Sequence, residues 1–395
     1  AGLAAGSSIP QEDFTGAAPE AELAVVKLKP AKKYLRDFYL IPSDAPAFQE
    51  NDIMMGIKYL RMMADRLKKP LVILLAMGSN SGSHIGTSPL SQVTQNYSGF
   101  FGIITVIAGG NETGAAHHFY ASIPAGTEYE DVEIRVGKEE AERGFVLELW
   151  AADADTYTVG FISPSGERIS RIPIIANNET SIPFLLDATT ITVNYQLIEA
   201  ESGSQLIFMR FQTPAAGIWT VRVYNTQRFK GTFHMWLPVQ GMISEETVFL
   251  RPDPYSTITV PGNSRLPITV GAYDTSTGGI YIHSSRGFTP NQIVKPELAA
   301  PGVNILGPSV GRKPGSDTPM TTRTGTSAAA AITAGAAANL LGWGIVEGNY
   351  PTMSEASVKS YLIRGAQRNP ALTYPNREFG YGTLDLFQTF LRLRE

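Results

Sequence analysis

The 395-residue chain contains no cysteine. That absence excludes a disulfide framework, thiolate metal sites and a cysteine nucleophile, and leaves the compartment open. Charge is also sparse: 17% of residues are charged and the net charge is −4. No basic footprint is present, so nucleic acid is not expected as a partner. Long apolar runs are missing as well. The longest, such as residues 71–77, are too short to cross a bilayer, so no membrane span is expected. No Asp-rich loop has calcium-ligand spacing, and no third ligand stands near His117 and His118. Neither a metal nor a cofactor is therefore expected, and the two histidines read as a structural pair at a strand start. The charged run at 139–143 reads as a solvated face or turn. The opening Ala1-Gly2-Leu3-Ala4-Ala5-Gly6 lacks an initiator Met, a charged stretch and a signal-like core, and reads as the middle of a domain.

What is present is the composition of a globular chain, 43% hydrophobic and long enough for two domains. Residues 22–28 are a short β-type run after a turn. Apolar groups at Ile53, Met54, Ile57, Leu60, Met63 and Leu67 fall near helical spacing. Residues 71–76 and 103–107 are continuous apolar strands of the kind covered on both faces of a parallel sheet, and right-handed crossovers should connect them. From His117 to about Val239 the pattern becomes short alternating strands, at 132–136, 145–150, 157–162, 190–195, 206–211, 219–224 and 231–236. This is the signature of a β-sandwich or jelly roll, and it holds three of the four tryptophans. The α/β character returns at 266–272 and ends in helices at 326–341 and 354–365. The expected division is an α/β domain in two segments, 1–116 and 248–395, with an all-β domain inserted at 117–247.

Two motifs carry chemistry. Gly325-Thr326-Ser327 opens an alanine-rich helix, whose free N–H groups and positive dipole end favour a developing oxyanion. Val106-Ile107-Ala108-Gly109-Gly110-Asn111 ends an apolar strand on a side-chain amide donor. Each has a blander reading alone: Ser327 as a serine near a helix cap, Asn111 as a turn residue. Together, in this order, they point to acyl transfer at a peptide carbonyl.

These segments resemble the subtilisin-like serine proteases, the subtilases. So do Gly16-Ala17-Ala18-Pro19, the strand at 71–78, Ser284-Ser285-Arg286-Gly287, Lys295-Pro296-Glu297, Gly325-Thr326-Ser327-Ala328 and Gly380-Tyr381-Gly382-Thr383. The resemblance implies a parallel sheet sandwiched by helices and a serine endopeptidase. Ser327 would be the nucleophile, Asn111 the oxyanion donor, and the Ser327 N–H the second donor. Ala76, Met77 and Gly78 would pair with substrate backbone. With Ala108, Gly109 and Gly110 they would wall the pocket for the residue before the cut, with room for a medium side chain. A protein or peptide substrate is implied, and a propeptide as a further partner. The family orders its triad Asp, His, Ser. Ala1-Gly2 matches the last two residues of the His motif, which places His and Asp upstream of Ala1 and leaves this chain inactive alone. His84 lies on the wrong side of the 71–78 strand to replace that histidine and reads as a loop residue near the cleft. Ala331 stands where the family usually has proline. The inserted β domain resembles that of the Csp-type proteases of clostridial spore germination. That implies limited proteolysis of a cortex-lytic enzyme precursor by a spore-associated or secreted protein. The alternatives are a pseudoprotease acting as sensor or scaffold, and a binding role for the insert.

Overall fold

A computed structural model describes residues 1–152, 154–175, 178–309 and 320–393. Its organising element is a parallel sheet of β1 (Leu71–Leu75), β2 (Ile103–Ala108), β14 (Ile268–Tyr273) and β15 (Leu298–Pro301), in that spatial order. All three neighbour pairs are parallel. Side chains alternate across a strand, and β2 shows what covers each face. Ile103 and Ile107 pack with Ile57 and Leu90, from helices α3 (Glu50–Leu67) and α4 (Pro89–Ser98). Ile104, Val106 and Ala108 pack with Ala329, Ala330 and Leu340 of α6 (Thr326–Leu341). Further helices are α1 (Gly2–Ala5), α2 (Lys33–Tyr39), α7 (Glu355–Gly365) and α8 (Leu386–Arg392). This is the expected sheet-and-helix architecture of a subtilisin-like fold.

The alanines of α6 have a packing reason. A Cβ at Gly335 would sit 2.5 Å from the Ala17 Cβ and 2.7 Å from the Ala4 carbonyl oxygen, so only glycine lets α1 and its following loop cross here. The same composition corrects the reading that no run is long enough for a membrane. Residues 326–346 are long and apolar enough by that test, and 61% of the window is buried in the protein. Packing against the sheet accounts for the apolarity.

The run at 22–28 is a second correction. It is extended but joins no sheet, with Leu23 56% and Val25 74% exposed. Alternation gives a strand its faces, and a neighbouring strand must supply its hydrogen bonds. Its support is lateral: Glu22 pairs with Lys69, and a Cβ at Gly56 of α3 would lie 3.2 Å from Val26.

Between β2 and β14 the chain builds two antiparallel sheets. One has the order β3-β12-β5-β10-β9-β8 and the other β13-β4-β11-β6-β7. The first comprises β3 (His118–Ser122), β5 (Phe145–Ala151), β8 (Glu179–Phe184), β9 (Thr189–Gln196), β10 (Leu206–Gln212) and β12 (Thr232–Trp236). The second comprises β4 (Tyr129–Val136), β6 (Thr156–Ile162), β7 (Arg168–Ile169), β11 (Gly217–Gln227) and β13 (Val248–Phe249). Alternate residues of both sheets meet in one core, among them Val132, Ile134, Leu147, Ile207, Phe211, Trp219 and Val221. All seven strands expected from alternation form. The run expected as a solvated face or turn is helix α5 (Lys138–Arg143), with Glu139 and Glu142 exposed. Its Glu140 is buried, accepting from Ser244 N (3.0 Å), Ser244 Oγ, Thr247 Oγ1 and Arg143 Nη2 (2.6 Å).

The outer face of the six-stranded sheet packs on the rest of the chain. Phe208 stacks on Phe38 of α2, with centroids 5.6 Å apart. Glu148 accepts from the Gly82 N–H at 2.9 Å and from Trp150 Nε1 at 2.9 Å. The all-β part is thereby held against the loop that follows β1.

Candidate functional site

Adjacent parallel strands β1 and β2 end at the same edge of the sheet. In open α/β sheets the carboxyl ends of strands form the usual ligand crevice. Past β1 runs Ala76-Met77-Gly78, all exposed, Met77 by 37%. Past β2 runs Gly109-Gly110-Asn111, with Ala108 and Gly109 buried and Gly110 and Asn111 half-buried. The N-terminus of α6 reaches this same edge. Gly325 precedes it with φ 139°, in the region open to glycine, and its N–H donates to Gly302 O at 2.8 Å.

Thr326 joins the two motifs. Its N–H donates to Asn111 Oδ1 at 3.0 Å and its hydroxyl to the same atom at 3.3 Å. That hydroxyl also accepts from the Gly110 N–H at 3.1 Å. The backbone donor fixes which end of the Asn111 amide is oxygen, so the Nδ2 end is held away from Thr326 and free to donate. Ser327 Oγ is exposed and donates to Ala76 O at 3.3 Å. Ser327, Asn111 and Ala76 are thus brought together. The sequence reading missed Thr326; its signal is a hydroxyl directly before the serine.

The loop is braced from behind. Ser285 N–H donates to Gly110 O at 2.9 Å, and Ser285 Oγ accepts from the Glu112 N–H at 3.0 Å. Glu112 is buried, paired with His117 at 2.9 Å, and accepts from Asn80 and the Gln240 N–H. The chain therefore leaves Asn111 straight into the all-β part, anchored at its first strand.

The walls are closer than their glycines suggest. A Cβ on Gly78 would lie 2.1 Å from Thr259 Oγ1, and one on Gly110 2.7 Å from Thr259 Cγ2. Thr259 N–H donates to Gly109 O at 3.0 Å, while Ser79 and Val260 exchange backbone bonds of 3.0 and 2.8 Å. Thr259, itself buried, thus packs against both glycines.

No base meets Ser327 among the described residues. His84 lies in the loop after β1, as expected, but is buried there: it is 3% exposed and stacks on Trp236 with centroids 3.9 Å apart. Its ring nitrogens lie 3.1 Å from Ile258 O and 3.0 Å from Asn80 O. Burial, first, drives its pKa down to about 4. His118 Nε2 lies 2.9 Å from His234 Nδ1, and both rings stack near Trp236. Burial also lowers His118 to about 4 and His234 well below the usual value. These rings are packing groups at the seam between the two parts of the chain. Among the described residues no group of three or more His, Asp and Glu could hold a metal ion.

Several known proteins resemble this chain. Residues 251–382 match the subtilase family, peptidase S8. The solved structure of the Clostridium perfringens CspB protease superposes with a TM-score of 0.80 at 29% identity, covering 89% of this chain and 72% of that one. The prenylagaramide maturation protease PagA matches at 29% identity and TM-score 0.29, over 35% of this chain and 46% of its own. The patellamide maturation protease PatA matches at 28% identity and TM-score 0.28, over 35% and 47%. This chain thus spans under half the length of the latter two. None of the curated proteins compared matches it.

Proposed function

We propose that this chain, a subtilase resembling the Csp-type proteases, carries the nucleophile and oxyanion half of a serine endopeptidase site. The observation that supports it most is the lock on Asn111. Thr326 N–H holds Oδ1 at 3.0 Å, leaving the Nδ2 donor beside the mouth where Ser327 Oγ sits. In this reading Ser327 Oγ attacks the scissile carbonyl as a base takes its proton. The carbonyl oxygen becomes an oxyanion held by Asn111 Nδ2 and the Ser327 N–H. Collapse expels the amine, and water then releases the acyl group. Ala76-Met77-Gly78 pairs with substrate backbone, and a propeptide would use the same edge. Ser327 Oγ now donates to the Ala76 carbonyl rather than to a base, so the chain alone is proposed to be inactive, with Asp and His supplied by residues outside it.

The strand order of the two antiparallel sheets supports reading residues 117–247 as an inserted jelly roll, because chain neighbours β3 and β4, β5 and β6, and β10 and β11 each fall in opposite sheets. The protease part would then be 1–116 with 248–395. Likeness to the CspB protease favours limited proteolysis in spore germination as the biological role. A second reading, a pseudoprotease acting as sensor or scaffold, is favoured by the absence of a base on Ser327 among the described residues.

The test is peptidase activity of the natural gene product on an unfolded protein. Cleavage that Ser327→Ala abolishes supports the endopeptidase. A folded product with no cleavage favours the pseudoprotease. The 395-residue chain alone should be slower by about 10⁶-fold, the typical cost of losing a triad base.

A further inference from the structure

We propose that buried Glu112 is a positioning residue for the oxyanion donor, holding Asn111 in place through bonds to both ends of the all-β part. This rests on reading Asn111 as that donor. Thr326 fixes the turn of the Asn111 amide by holding Oδ1. It does not fix how far the residue reaches, which depends on the backbone on either side. Upstream are Gly109 and Gly110, the second at φ 105°, and glycines add little stiffness. Downstream is Glu112, whose bonds run two ways. Its N–H donates to Ser285 Oγ at 3.0 Å, and Thr113 Oγ1 next to it donates to Ser284 O at 2.8 Å. One side of the loop is thereby stitched to residues 284–285. The carboxylate faces the other side. Its Oε2 accepts from His117 Nδ1 at 2.9 Å and Asn80 Nδ2 at 3.4 Å, and its Oε1 from the Gln240 N–H at 3.2 Å.

His117 lies just before β3 and Gln240 just after β12. One carboxylate therefore gathers the chain where it enters the all-β part and where it leaves. Asn80 adds the loop after β1, and it donates also to Leu237 O at 3.0 Å. Glu112 and His117 are both buried, and buried donors that lose their acceptor are costly, which keeps this cluster in one arrangement. None of these bonds reaches Ala76, Met77, Gly78 or Ser327, so Glu112 acts through the residue before it. An oxyanion donor works within about 2.7–3.1 Å of the developing charge, and a displacement of about 1 Å can cost about 100-fold in rate. Without the carboxylate, Asn111 keeps its amide and loses its place.

The experiment is steady-state cleavage of a peptide ester by the natural gene product carrying Glu112→Ala, Asn111→Ala or both. Glu112→Ala should lower kcat by at least about tenfold, with KM within about twofold of the parent. On top of Asn111→Ala it should lower kcat by less than about twofold more, because losses that pass through one group do not add. Glu112→Gln still accepts from the Gln240 N–H and offers His117 a donor for its other tautomer, and should bring kcat back to within about threefold of the parent. His117→Phe removes one of the three donors at less risk to folding. It should give a smaller loss in kcat alone with the same non-additivity, and it carries the test if Glu112→Ala does not fold. Asp155→Asn weakens the all-β part without touching Glu112 and should leave kcat unchanged below its melting temperature; melting curves confirm that each variant folds. A kcat unmoved by Glu112→Ala and His117→Phe, a loss as large with Asn111→Ala as without it, or an equal loss from Asp155→Asn would overturn the inference while leaving Asn111 as the donor. An Asn111→Ala variant with unchanged kcat, or a folded gene product that cleaves nothing, would overturn the donor reading and this inference with it.

Discussion

Replacing His84 by phenylalanine keeps a ring on Trp236 and removes the titration. The folded chain holds His84 neutral, with a pKa of about 4 against an ordinary value of 6.5. Burial is the main cause; the nearby His118 adds to it, and the carbonyls of Asn80 and Ile258 oppose it. The groups around the ring are His118 and His234 in the same stack, Asp253 beside His118, and Glu148 across the Gly82 amide. As pH falls the unfolded chain takes the proton first. Stability from the neutral ring is thus fully present above about pH 6.5 and lost on the way down to about pH 4. A shift of this size corresponds to about 3 kcal/mol, a large share of the 5–15 kcal/mol typical of a domain. At pH 7 the Phe variant should be less stable by about 1–3 kcal/mol, because one of the two buried carbonyls loses its donor. Between pH 7 and pH 4 the balance should move by about 3 kcal/mol in favour of the Phe variant, closing or reversing that gap. Denaturant unfolding of both proteins at half-unit pH steps measures it. Comparing the two cancels the titrating groups not coupled to His84, including Glu355, whose burial raises it to about 8 and works in the opposite direction. A gap that does not change with pH would refute the neutral, packed His84.

Other outcomes follow from single contacts. Asn111→Ala in the active gene product should lower kcat by about 100- to 1000-fold with little change in KM, as for other oxyanion donors. Steady-state kinetics with a peptide ester would show it, and an unchanged kcat would remove Asn111 from the reaction. Asp155 is buried and accepts from the N–H groups of Phe229, Lys230, Gly231 and Thr232. Asp155→Ala orphans all four and should cost at least about 3 kcal/mol. Urea unfolding followed by the fluorescence of buried Trp219 would detect it, and a midpoint within error of the parent would contradict it.

The strands of the all-β part were legible because alternate residues meet a single core. Two were not. β8 carries Pro183 and lies at a sheet edge, the one place a strand tolerates proline. β3 opens with His118, whose ring reaches the seam rather than solvent. Residues 22–28 show the reverse error, since a good local pattern has no way to report a missing neighbour. Glu140 looked solvated because its partners, Ser244 and Thr247, lie over a hundred residues away. In the site, Ser327 and Asn111 were visible from their glycine-rich settings. Thr326 and Thr259 were not, because a threonine is too common to signal what its hydroxyl or methyl meets in space.

The most direct measurement is labelling of the natural gene product with a fluorophosphonate, followed by peptide mapping. The adduct should lie on Ser327 alone. A folded gene product that does not label, or labels elsewhere, would contradict Ser327 as the nucleophile.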